Sequence, residues 1–303
     1  MFSDRPNHPD LDRAMADLNL QMVWDPPVIN ADIIVLHNPS FLKFNATFAP
    51  KMVCDTLVVV THENFTSPNG ALVFDADACL DLIDAATLAR HKILAPVSAY
   101  NRDTIVPWHD QSGPGWILST IPWTNICAFD QTPPTDQPAD RRGRHSRPGF
   151  EKFPGRAVMD ATFPAHADHN AILGGDIFVE DNPPSHWTLY KFREMPVDHF
   201  LEGIDFFVYF TNPNWRESFG RVIAEAIAAG KVVLTDALTA KTFGAGLIGV
   251  EPDTVDACIQ RHVSNPARYA TTVRTAQKGL GAFSADRFRE RAATILDTVG
   301  GTQ

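Results

Sequence analysis

The sequence predicts an α/β protein of two domains, each a doubly wound parallel sheet, and three observations carry that prediction. The stretch 205–236 reads strand–loop–helix–strand. Three short apolar runs in the first half each turn polar at their C-terminal edge. Between these regions, residues 131–140 are rich in Pro, Asp, Gln and Thr, a linker composition.

The chain is organised around 205–236. Phe206-Phe207-Val208-Tyr209-Phe210 is short, aromatic and β-branched, as expected of a strand buried on both faces. A polar loop containing Asn and Pro follows. Phe219, Val222, Ile223, Ala226 and Ile227 then recur at helical spacing, predicting a helix over 219–229 that Gly230 ends. Val232-Val233-Leu234 starts the next strand. The loop delivers the chain to a helix N-terminus, where unpaired N–H groups and the helix dipole favour an anion. Glu217 projects from the loop into the crevice beyond the strand ends, and Glu225 lies two turns into the helix. A carboxylate such as Glu225 offers two oxygens to adjacent hydroxyls of a sugar-like diol. In isolation both would read as solvated surface acids.

The run from Glu217 through Ser218-Phe219-Gly220 to Glu225-Ala226, closed by Ala229-Gly230, resembles the E-x7-E signature of the family 4 retaining glycosyltransferases. That resemblance implies the GT-B fold, two Rossmann-like domains facing across a cleft. It also implies transfer of a sugar from a nucleotide-diphosphate donor.

At 303 residues there is room for two such domains. A hydrophobic content of 44% with 20% charged residues fits a globular chain with a substantial core. The net charge of −10 argues against nucleic acid as the main partner. Acidity concentrates early, at roughly −8 over the first ~130 residues, giving little support for docking on anionic lipid. Cys54, Cys79, Cys127 and Cys258 are scattered and read as small buried hydrophobes in a reducing compartment. Without a signal peptide or an apolar run of spanning length, the expectation is a cytoplasmic chain without stable membrane insertion.

From the N-terminus, Met1-Phe2-Ser3-Asp4 reads as the tail of a truncated first strand. An amphipathic helix (Leu11, Met15, Leu18) capped by Pro9-Asp10 follows. The first glycine is Gly70, so Arg5-Pro6-Asn7-His8-Pro9 stands where relatives carry a Gly-rich turn. The three strand-like runs are 32–36, 56–60 and 92–95, leading into His37-Asn38-Pro39, Thr61-His62-Glu63-Asn64 and Pro96-Val97-Ser98. A helix is expected from Ala78 to about Arg90, and 116–121 resembles the last strand of the first domain. His62, at a strand end, resembles the family histidine that contacts the donor sugar. Ser98 reads as a helix cap.

The basic cluster Arg141-Arg142-Gly143-Arg144-His145-Ser146-Arg147 through Lys152 contrasts with the acidic chain around it. It resembles the family segment whose Arg and Lys grip the donor pyrophosphate; Arg144 and Lys152 match, and Arg147 could substitute for Arg144. A solvated charged loop is the plainer reading. The stretch 157–187 fits poorly, with polar turns and Gly174-Gly175 where relatives have two clean βα units. Its His166, Asp168 and His169 lack metal-site spacing. Ser284 and its neighbours cap a terminal helix over 287–299 that, by resemblance, returns to the first domain. The domains expected are thus 1–130, with 287–303 packing back on it, and 131–286.

By the resemblance, Glu217 and His62 are the catalytic residues. Arg144, Lys152, Ser218, Phe219, Gly220 and Glu225 hold the nucleotide sugar, with neither metal nor cofactor and a glycan or glycolipid as acceptor. Three alternatives compete. Asp75-Ala76-Asp77 looks like the Asp-x-Asp metal motif of GT-A enzymes, although aspartates at a helix start are favoured caps. A GT-B-shaped scaffold without activity and a nucleotide-sugar epimerase are the others.

Overall fold

The computed structural model describes residues 26–39 and 48–300, with residues 16, 21 and 23. The expected first strand, the Leu11–Met15–Leu18 helix and the loop replacing the Gly-rich turn lie outside the described residues. Two parallel sheets form two lobes.

In the first lobe, β1 (Val28–Asn30) and β2 (Ile33–His37) pair end to end with the long β3 (Lys51–Thr61), as one broken edge strand. Thr87–Pro96 forms β4 on the other side of β3, followed by β5 (Ile117–Leu118). Helices α1 (Ala76–Ala85) and α2 (Ala99–Ser112) flank this sheet. Leu57 to Val60 are buried to within 1%, as a strand covered on both faces must be. The helix expected to reach Arg90 stops at Ala85 because β4 begins at Thr87, its register with β3 running from Met52↔Thr87 to Thr61↔Pro96. Leu88 has helical spacing in sequence, yet stands on β4 at 72% exposure; non-local pairing overrides the local pattern.

The second sheet has six strands: β6 (Arg141–His145), β7 (His169–Leu173), β8 (Thr188–Tyr190), β9 (Phe206–Tyr209), β10 (Val232–Thr235) and β11 (Ile248–Gly249). Their order is β11-β10-β9-β6-β7-β8, all parallel. Helices α3 (Arg156–Thr162), α4 (Val197–Glu202), α5 (Arg221–Ala228), α6 (Ala237–Phe243), α7 (Val255–Val263) and α8 (Pro266–Gly279) cover it.

Two expectations are corrected here. The stretch 157–187 is not irregular: it contains α3, β7 and a 3-10 turn (Gly175–Phe178), and leads into β8. Its strand was hard to see because polar His169 and Asn170 open β7, where the Asn170 amide donates to the Pro164 carbonyl at 2.8 Å. The basic cluster begins as a buried central strand rather than a solvated loop. Arg142, with no exposure, is held by Asp140 at 2.6 and 2.9 Å and by Asp256 at 2.6 Å; Arg141 pairs with Asp205 at 2.8 Å. Paired charges lose less on leaving water than lone ones, which is what lets this sequence occupy a strand interior.

One apolar cluster spans both lobes, joining Val58, Val60, Ile93 and Ala95 of the first sheet to Phe207, Phe219, Ile223, Phe283 and Ile295. The terminal helix α9 (Ala285–Gly300) packs on the segment 123–124: Phe288 lies edge-on against Trp123 at 5.2 Å and Arg291 donates to Thr124 Oγ1 at 2.8 Å. The linker is tied to the second lobe, with Thr132 N–H donating to Ala228 O at 2.8 Å and Gln277 donating to Thr132 O at 2.7 Å. Gly230 (φ +77°) ends α5 beneath it, and a Cβ there would meet Thr132 O at 2.7 Å. All four cysteines are buried. Among the described residues no helix is long and apolar enough to cross a membrane.

Candidate functional site

Beyond the C-terminal ends of β6, β7 and β9 lies a cavity of about 650 Å³ whose walls include His145, Lys152, Tyr209, Glu217 and Glu225. Parallel strands and the helices that follow them leave such a crevice at their carboxyl ends. Glu217 stands on its wall because the loop 210–220 is braced on several sides. Thr211 Oγ1 donates to Trp215 O at 2.9 Å, Asn212 N–H to Glu151 O at 3.2 Å, and Arg216 pairs with Asp236 at 2.8 Å.

Glu217 Oε1 accepts from Lys152 Nζ at 2.5 Å and from the Tyr209 hydroxyl at 2.6 Å. Burial, then the adjacent Glu217 carboxylate, raises the Tyr209 pKa well above its ordinary value, so the phenol remains a donor. Lys152 comes from a 3-10 turn (Phe150–Lys152). The loop then enters α5 through Gly220 at φ +91°, a backbone region natural to glycine, and no side chain caps the helix. The start of α5, with the positive end of the helix dipole, lies at the cavity, whose lining includes Gly220, Arg221 and Val222. Arg147, Arg193 and Arg221 add positive charge to the walls.

On the same wall, Glu225 Oε1 accepts from Arg221 Nε at 2.9 Å, while its Oε2 is 3.6 Å from His145 Nε2. Two buried side-chain atoms on this wall have no hydrogen-bond partner, His145 Nε2 and Ser146 Oγ. The Ser146 turn is closed by a tight approach: Gly174, at φ +82°, sits where a Cβ would come within 1.9 Å of Ser146 O.

From the first lobe, the turn 61–64 reaches the Glu217 loop. Ser218 Oγ donates to His62 O at 2.5 Å and Asn64 Nδ2 to Arg216 O at 3.0 Å. That turn hangs on buried Asn101, which donates to Glu63 O at 2.8 Å and Asn64 Oδ1 at 3.1 Å and accepts from Thr61 Oγ1 at 3.0 Å. The His62 ring lies 3.4 Å, Nε2 to Nε2, from His37. Burial, then the neighbouring His37, lowers its pKa to about 4.

No family model matches the chain. A stretch of 41 residues is 54% identical to an uncharacterized 42.6 kDa protein in the cps region of Klebsiella pneumoniae, covering 14% of this chain and 10% of that protein. Among solved structures, Anabaena HepE in complex with UDP and glucose is similar with a TM-score of 0.59 at 16% identity, over 80% of this chain and 72% of that one. A glycosyltransferase from Rickettsia africae aligns over 100% of this chain and 85% of its own, with a TM-score of 0.59 at 15% identity. The pneumococcal O-GlcNAc transferase GtfA, in complex with UDP and GlcNAc, gives 0.55 at 15% identity, and this chain spans 59% of its length. The fold is GT-B.

Within this GT-B frame the structure brings Glu217, Lys152, Gly220 and Glu225 to one cavity wall. Arg144 is placed behind that wall, fully buried. Its guanidinium donates to Phe210 O at 2.9 Å and Lys152 O at 2.5 Å, over the rings of Phe153 and Tyr209. Strand alternation explains this: Arg142 and Arg144 share one face of β6, and His145 takes the other. Phe219 also leaves the wall, packing on Phe243 and Phe283 at 5.3 Å each. The Ser218 hydroxyl is used between the lobes, and the His62 ring lines a separate small pocket with Asn38 and Phe65.

Ser98 caps α2, accepting from Asn101 N–H at 3.0 Å. Asp75 caps α1, accepting from Ala78 N–H at 2.9 Å, and Asp77 accepts from Trp108 Nε1 at 2.7 Å. His166 meets Asp256 at 2.7 Å, whereas Asp168 accepts from Asp140 N–H at 3.0 Å. Asp140, His166 and Asp256 do converge, but Arg142 lies between the carboxylates as their counter-charge. Sequence reasoning missed Tyr209, Arg221 and His145; Tyr209 and His145 carried a usable signal, since each ends a parallel strand.

Proposed function

We propose that the chain is a retaining glycosyltransferase of the family 4 type, moving a sugar from a nucleotide-diphosphate donor to a glycan, glycolipid or other small acceptor without a metal ion. The observation that carries the reading is the Lys152–Glu217–Tyr209 cluster on the wall of the large cavity, beside the uncapped start of α5. The solved HepE and GtfA complexes hold UDP, which supports a nucleotide donor.

Charge builds on the departing diphosphate, so cations and amide dipoles fixed beside it lower the barrier. In this reading Lys152, Arg147 and the N–H groups around Gly220 receive the diphosphate, and Arg144 acts by holding the Lys152 backbone. Glu217 orients the donor sugar hydroxyls and supports the cationic ring, and Glu225 takes the ribose. His62 approaches from the first domain, where the acceptor binds. Retention follows from attack on the face that the diphosphate leaves. The domains are 1–130 with 287–303, and 131–286, and the enzyme serves polysaccharide biosynthesis in the cytoplasm.

A second reading, a GT-B nucleotide binder without transferase activity, is favoured by one observation: Lys152 is already paired with Glu217. The test is a panel of UDP- and GDP-sugars assayed for transfer and hydrolysis with wild type and Glu217→Gln. Loss of turnover by at least about a hundredfold in the variant, with melting temperature kept, is the expected result. Binding without turnover in wild type would select the second reading; equal turnover in both proteins would remove Glu217 from the mechanism.

A further inference from the structure

The apolar strand β9 ends on Tyr209, the one residue of Phe206–Tyr209 with a polar tip, and that hydroxyl donates to Glu217 Oε1 at 2.6 Å. Tyr209 is buried, with 1% exposure. Phe207 lies parallel to its ring at 5.9 Å, and the Arg144 guanidinium sits over it at 5.0 Å. The backbone is tied to β10: Tyr209 pairs with Thr235 in the sheet, and its carbonyl accepts from Thr235 Oγ1 at 2.6 Å. A buried phenol needs a partner for its O–H, and this one finds it in Glu217.

Glu217 Oε1 therefore receives two donors, Tyr209 and Lys152, while among the described residues no donor reaches Oε2. The two donors differ in kind. Lys152 carries a compact charge and three N–H groups on a flexible four-carbon stem. Tyr209 is part of a central strand and moves only with the sheet. In the reading above the diphosphate draws on Lys152, so the hold of Lys152 on Glu217 weakens as the donor binds. Tyr209 has no such competing task. We propose that Tyr209 is a positioning residue for Glu217: its hydroxyl anchors Oε1 while Lys152 turns to the diphosphate, so that Oε2 meets a hydroxyl of the transferred sugar. A Leu or Phe at this strand end would fill the same core position without anchoring the carboxylate. The proposal rests on the nucleotide-sugar reading and adds to it the residue through which the sheet directs Glu217.

The test is Tyr209→Phe, which removes one oxygen and keeps the ring, assayed for turnover and for binding of UDP and GDP, alone and combined with Glu217→Gln. Alone it is expected to lower kcat about tenfold, with the Kd of the nucleoside diphosphate and the melting temperature nearly unchanged. Added to Glu217→Gln it changes turnover by no more than about twofold, because a residue that acts through Glu217 then has nothing left to position. A packing role would instead cost as much in either background. A crystal structure of wild type with UDP, which needs no variant to fold, is expected to keep the Tyr209–Glu217 contact while Lys152 Nζ reaches the diphosphate. Unchanged kcat in Tyr209→Phe, equal losses in kcat and affinity, a further tenfold loss in the double variant, or a UDP complex with the Tyr209–Glu217 contact broken overturns the proposal and leaves the transferase reading standing. Absence of turnover in wild type with every donor overturns both.

Discussion

The hydroxyl of Ser218 donates to the backbone carbonyl of His62 at 2.5 Å, joining the loop of Glu217 to the first lobe across 156 positions of sequence. Ser218→Ala is therefore expected to cost about 1 kcal/mol of stability, read by urea unfolding. Turnover should fall several-fold more than nucleotide affinity, because the first lobe loses its register with Glu217 while the second lobe keeps its cavity. Equal losses in turnover and affinity would argue that the contact only stabilises the fold.

Arg142 is fully buried between Asp140 and Asp256. Arg142→Met leaves the buried Asp140 carboxylate without its counter-charge, and a loss of about 3–5 kcal/mol is expected by denaturant titration. The double variant Arg142→Met/Asp140→Leu should recover much of that loss, since removing both partners removes the unpaired charge.

Burial, then the neighbouring Arg144, lowers the pKa of His145, which sets a direction for acid sensitivity. In the folded chain the ring protonates near pH 4, against 6.5 for its ordinary value. Between those pH values the unfolded state binds more protons, so stability falls as pH drops from 6.5 to 4, by about 3 kcal/mol from this group. His62 contributes in the same direction. His145→Phe should flatten the pH dependence of the unfolding free energy in that window, and an unchanged slope would assign the effect elsewhere.

Asp75 and Asp77 are engaged by Ala78 N–H and Trp108 Nε1. Transfer is accordingly expected to survive excess EDTA to within about twofold. Asp75→Ala should cost about 1 kcal/mol of stability as a lost helix cap. Chelator-sensitive transfer would reopen the Asp-x-Asp alternative.

The sequence made the β9–α5–β10 unit legible because its periodicity changes from strand to helix within a few residues and its ends carry glycines at positive φ, Gly220 and Gly230. The Ser98 and Asp75 caps were readable for the same reason: capping is a local interaction. Long-range pairing was not. The extension of β4 down to Thr87 and the strand character of β7 depend on register with β3 and β6, which single-segment patterns do not contain. At the site, Glu217 and Lys152 were brought into one expectation by their resemblance to two family motifs, not by charge or spacing. The inward turn of Arg144 could not be anticipated, because it follows from which face of β6 is buried. His145 was legible in principle, being the last residue of a parallel strand, but the surrounding arginines drew the reading toward phosphate contacts.

The apolar cluster running from Val60 and Ala95 through Phe219 and Phe283 to Ile295 bears on how such a molecule opens. Swinging the lobes apart would wet these side chains, at roughly 25 cal/mol for each Å² uncovered. A motion that slides one lobe over the other would leave this greasy seam dry.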